Sequence, residues 1–65
     1  MLWSWIKEYV EISMEHPVRG ERLRRAIWLM IELRRCGFSS GELEELSGGR
    51  WKGSTIRGYT RGDVG

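Results

Sequence analysis

The chain has 65 residues, 40% of them apolar and 31% charged, with a net charge of +2 at pH 7. That length bounds it to one domain with a small core, since so short a chain buries only about 60% of the surface its unfolded form exposes. One cysteine, Cys36, and one histidine, His16, exclude an intramolecular disulfide and leave a metal site short of ligands, so no cofactor is expected.

No apolar run approaches the roughly 20 residues of a membrane span, and no signal peptide is visible. The expectation is a cytoplasmic protein with no membrane partner. Asn and Gln are both absent, and the basic residues are nine Arg and two Lys. Two readings fit that bias: a thermophile shedding labile amides, or a GC-rich genome. Charge alternates along the chain. Residues 1–18 sum to −2, 19–37 to +4, 38–47 to −3 and 48–65 to +3, so basic blocks can face a polyanion without the whole chain being basic.

The first element is a helix over about Ser4–Glu15, capped by Ser4 and ended by His16-Pro17. Its apolar residues Trp5, Ile6, Tyr9, Val10, Ile12 and Met14, with Leu2 and Trp3 just before, cover about 200° of a helical wheel, where one core needs nearer 100°. Either the rest of the domain wraps this helix, or one face pairs with a second subunit. The homodimer is the preferred reading, with Trp3, Trp5, Ile6, Tyr9 and Val10 at its interface. A membrane-surface helix is disfavoured because the polar face is acidic.

The second element is the longest helix, about Gly20–Cys36, closed by Gly37. Leu23, Ala26, Ile27, Met30, Ile31 and Leu33 make it the central core helix. Glu21 in the first turn and Arg34 and Arg35 in the last suit its dipole. The cluster Arg19, Arg22, Arg24 and Arg25 is either a solvated face, with Glu21 and Arg25 paired at i,i+4, or a set of phosphate contacts. Cys36 reads as a small buried residue, with no neighbouring base to activate it.

The third helix opens at a capping box, Ser39-x-x-Glu42, with Phe38 placed to staple onto Leu43. Leu43 and Leu46 face inward, Glu42, Glu44 and Glu45 outward, and Ser47-Gly48-Gly49 stops the helix. A fourth runs from Gly53 or Ser54 to about Thr60, with Ile56 and Tyr59 inward. Its outward set is short, basic and hydroxyl-bearing. Arg reaches guanine edges, Ser and Thr reach phosphates, and glycine admits close backbone approach.

This stretch resembles the helix-turn-helix family of DNA-binding domains. Trp51, Ile56 and Tyr59 keep the family's intervals of five and three. Two departures stand out: the interval from Leu46 to Trp51 carries three residues more than usual, and the small residue expected inside the first motif helix is missing, Gly41 sitting too early. Small archaeal, plasmid-borne and viral regulators look similar, often with an added N-terminal helix for dimerisation. The resemblance implies an all-α mini-domain of three or four helices with a C-terminal helix-turn-helix-like pair. It also implies sequence-specific binding of double-stranded DNA in transcription or mobile-element regulation.

Under that reading the DNA-binding residues are Arg50, Lys52, Ser54, Thr55, Arg57 and Arg61. Arg57, with Ser54 or Arg61, would read bases, while Arg50, Lys52 and Thr55 would hold phosphates. Trp51 would lock the long turn to the core, or lie on the DNA backbone. The alternative is a protein-interaction module, an adaptor or inhibitor docking through the aromatic first helix. No carboxylate pair, nucleophile–base set or phosphate loop points to an enzyme or a small-molecule substrate. The segment after Thr60 reads as a flexible tail, or as the turn into a wing in a longer protein.

Overall fold

The computed structural model describes residues 1–62. The expectations about a tail or wing beyond Gly62 lie outside those residues. Over the described residues the architecture is all-α, with four helices: α1 Leu2–Ser13, α2 Glu21–Arg35, α3 Ser40–Leu46 and α4 Gly53–Thr60. No described helix is long and apolar enough to cross a membrane.

Helix α1 begins two residues earlier than Ser4 would set it. Met1 is the N-cap and Trp5 N–H donates to the Met1 carbonyl, so Ser4 lies within the first turn and caps nothing. Leu and Trp enter a helix without difficulty, so no local signal delays it until Ser4. Its C-terminal boundary is Met14 rather than Glu15.

Helix α2 closes as the sequence anticipates. Gly37 takes φ +108°, Phe38 N–H donates to Leu33 O and Gly37 N–H to Arg34 O, the paired bonds of a Schellman motif. Cys36, however, is the C-cap and is exposed, not buried. Capping a helix end places it where the chain turns through solvent. The Ser39–Glu42 capping box forms in both directions and starts α3. A second Schellman motif ends α3, from Gly48 N–H to Glu45 O and Gly49 N–H to Glu44 O, with φ of +66° and +82° at the two glycines.

The core is one cluster of Tyr9, Ile12, Ala26, Leu29, Met30, Leu33, Leu43, Trp51 and Ile56, contributed by all four helices and the α3–α4 turn. Tyr9 sits at its centre. Its hydroxyl donates to the Leu43 carbonyl at 2.9 Å and its ring stacks on Trp51 at 5.9 Å between centroids, so α1 holds both α3 and the turn. Burial pushes the Tyr9 phenol up to about 12.

Two bidentate ion pairs tie α2 at the surface to α1 and the residues just after it, Arg25 on Glu8 of α1 and Arg22 on Glu15 beyond its end. Arg25 also lies 4.6 Å over the Trp28 ring, which meets Trp5 edge to face at 5.6 Å. Arg25 therefore pairs across the helix interface and not with Glu21, because the planar fork meets a carboxylate bidentately there and stacks at the same time.

Candidate nucleic-acid interface

Helix α4 is placed by a narrow line of contacts. Ile56 and Thr60 are fully buried and Gly53 is half-buried, whereas Ser54, Thr55, Arg57, Gly58 and Tyr59 are exposed. The inward line thus runs 53–56–60. Tyr59, expected inward, is on the surface. Thr60 takes its place because its hydroxyl donates to the Ile56 carbonyl one turn back, which satisfies a polar group inside the core.

The turn before α4 is held at several points. Trp51 is 8% exposed and locked against Tyr9. Its N–H donates to the Ser47 hydroxyl at 3.4 Å, and Ser47 in turn donates to Glu44 O at 2.8 Å. The three additional residues are therefore a braced connection. It still permits a tight crossing of α3 and α4, through Gly53. A Cβ there would lie 3.3 Å from the Glu44 carboxylate and 3.7 Å from the Ser40 carbonyl.

Glu44 also caps the candidate reading helix. Its carboxylate accepts from Gly53 N–H at 2.8 Å, at the positive end of the α4 dipole. Backbone amides at a helix start commonly cradle a phosphate. Here that place already holds a carboxylate, and the Lys52 N-cap makes no side-chain cap. The cationic groups near this end are the exposed side chains of Lys52 and Arg50, the latter 5.9 Å over the Trp51 ring.

The six expected DNA-binding residues all reach the surface, but they divide. Arg50 and Lys52 lie in the turn, Ser54 and Thr55 on the first turn of α4, and Arg57 and Arg61 at its far end. The last two line a pocket of about 210 Å³ with Arg34 and Thr60. Arg34 was not anticipated as part of this site. It lies 26 positions before Thr60 and comes near only because α2 packs on α4, its guanidinium donating to the Thr60 hydroxyl at 3.2 Å.

Of the residues expected at a dimer interface, Tyr9 is withdrawn by its burial in the core, and Trp5 and Ile6 pack against that core half-buried. Trp3 is 74% exposed and Val10 is half-buried. With Lys7 and Met14, both exposed, they form a stripe at positions 3, 7, 10 and 14, away from the core face. The domain does not wrap α1 completely.

Among the described residues, no three His, Cys, Asp or Glu side chains converge as a metal site requires. The chain matches no family model, no curated protein and no solved structure.

Proposed function

We propose that this protein binds double-stranded DNA through α4, as a helix-turn-helix-like domain with a braced, lengthened turn. The observation that carries the reading is the combination of exposure and charge on α4. Five of its eight residues are exposed, its outward charge is only positive, and its hydroxyls and glycine leave room for close approach. Arg57 is the base reader, Ser54 and Thr55 lie beside the backbone, and Lys52 and Arg50 anchor phosphates. The outer stripe of α1 supports the second part of the proposal, that two chains pair through Trp3, Val10 and Met14 and so set the spacing of two half-sites. Regulation of transcription or of a mobile element is the role such a dimer would fill.

The test is duplex binding by fluorescence anisotropy across salt. Affinity should fall steeply between roughly 50 and 200 mM salt. Arg57→Ala should lose preference among sequences, and Lys52→Ala should weaken all of them alike. Undetectable binding at low salt, or binding that survives Arg57→Glu, overturns the reading.

A second reading is favoured by one observation, the 74% exposure of Trp3. A different protein, not a second copy, would occupy the same stripe. A pull-down partner lost on Trp3→Ser but kept on Arg57→Glu would decide for it.

A further inference from the structure

We infer that Arg34 and Arg61, with Thr60 and one edge of the Arg57 guanidinium, form a phosphate-binding pocket at the C-terminal end of α4, which leaves the other edge of Arg57 for a base. The inference deepens the duplex-binding reading, on which it rests for the source of the phosphate.

Three arginines, Arg34, Arg57 and Arg61, line with Thr60 one pocket of about 210 Å³, large enough for a phosphate group and several waters. Of the other α2 arginines, Arg22 pairs with Glu15, Arg25 with Glu8 and Arg35 with Glu32, while Arg24 is exposed outside these pairs. Among the described residues, Arg34, Arg57 and Arg61 have no such carboxylate. Among the described residues, the one side-chain hydrogen bond these three arginines make to protein is that from Arg34 to Thr60. That bond turns one edge of the Arg34 fork against the buried hydroxyl and leaves its remaining donors directed elsewhere. Each guanidinium carries five N–H donors in a fork that fits a phosphate bidentately.

The helix ends offer a competing account. Arg34 lies in the last turn of α2 and Arg57 in that of α4, where the dipole favours a cation. That favours each arginine separately but does not require three to share a pocket, where like charges repel. Among the described residues, these guanidiniums make no hydrogen bond to the terminal carbonyls. A bound polyanionic oxygen group removes the repulsion and takes up the unused donors together. At the other end of α4 the Gly53 amide is already taken by Glu44, so a phosphate there meets the Lys52 and Arg50 side chains without that backbone donor.

The experiment uses the whole chain labelled with 15N. Inorganic pyrophosphate is titrated in while the arginine Nε–H signals are followed. Saturable shifts at Arg34, Arg57 and Arg61, with Arg22 and Arg25 unmoved, are expected. Equal, non-saturating shifts at all five arginines overturn the inference without need of a variant. A second arm measures a random-sequence duplex from 50 to 200 mM salt with Arg34→Gln, whose helicity is checked by circular dichroism, and with Arg34→Lys. If the phosphate belongs to a nucleic-acid backbone, Arg34→Gln lowers the slope of log affinity against log salt by about 0.9, one contact's worth, and Arg34→Lys largely restores it. Saturable pyrophosphate binding without any duplex binding supports the pocket, assigns it to a free phosphate compound, and sinks the DNA reading alone. Duplex binding with an unchanged slope and no saturable pyrophosphate binding sinks the pocket alone.

Discussion

The Gly53 backbone N–H donates to the Glu44 carboxylate at 2.8 Å, so one helix of the C-terminal pair caps the other. The same approach depends on Gly53 having no side chain, since a Cβ would stand 3.3 Å from that carboxylate. Glu44→Ala should therefore destabilise α4 by about 1 kcal/mol, the ordinary worth of a lost N-cap. Hydrogen exchange at residues 53–57 should quicken while Tyr9 and Leu33 stay protected. Unchanged exchange at 53–57 would mean the cap contributes nothing.

Trp51→Ala removes the ring that stacks on Tyr9 and closes the turn. Large aromatic deletions from a core cost roughly 3–5 kcal/mol. A chain of 65 residues has little stability beyond that. The variant should lose its cooperative thermal transition by circular dichroism, and Trp51→Phe should keep it at a lower midpoint.

Alkali should unfold the protein through Tyr9. Its phenol is raised from 10.0 to about 12 by burial, so the folded state holds the proton more tightly than the unfolded one. The corresponding stability is complete below pH 10 and disappears as pH rises toward about 12. Tyr9→Phe should cost about 1 kcal/mol at pH 7, through the lost bond to Leu43 O, and flatten the decline between pH 10 and 12. Denaturant midpoints at pH 7, 10 and 11.5 read both effects.

Acid acts at the other interface. The hydrogen bonds from Arg25 hold Glu8 below its ordinary 4.5, and those from Arg22 do the same for Glu15. These depressed carboxyls contribute stability that is present above pH 4.5 and is lost as pH falls below it. Both pairs are solvent-exposed, so the effect should be small. The double variant Glu8→Gln, Glu15→Gln should show a shallower loss below pH 4.5 and a smaller response to 1 M salt.

The outer stripe of α1 gives a hydrodynamic prediction. Trp3→Lys alters a side chain that is 74% exposed, so the fold should survive. Sedimentation should then report a monomer where the parent chain sediments as a dimer. Equal sedimentation of both chains would remove the stripe from the account of self-association.

The helices were legible because their ends are written locally. Ser39 and Glu42 are three apart, and Gly37 supplies the positive φ that closes α2. What escaped was decided by packing between segments. Nothing near Arg34 signals Thr60, and nothing near Glu44 signals Gly53. Tyr59 is not placed by sequence because the eight-residue α4 offers few positions from which to judge a face, and hydrophobicity alone favours Tyr over Thr inside. Arg25 had acids at two places, and the bond to Glu8 depends on how α1 lies on α2. Cys36 looked apolar by its neighbours, yet its position as C-cap put it outside.

The turn between α3 and α4 divides the chain into positions that tolerate change and positions that resist it. Gly48 and Gly49 both hold a left-handed backbone, where any side chain costs roughly 1–2 kcal/mol. Ser54, Thr55, Arg57 and Gly58 are exposed on α4, with no such constraint. Substitutions on that face are free to accumulate without threatening the fold, so a lineage of such chains would diversify there while its glycine turn stayed nearly invariant.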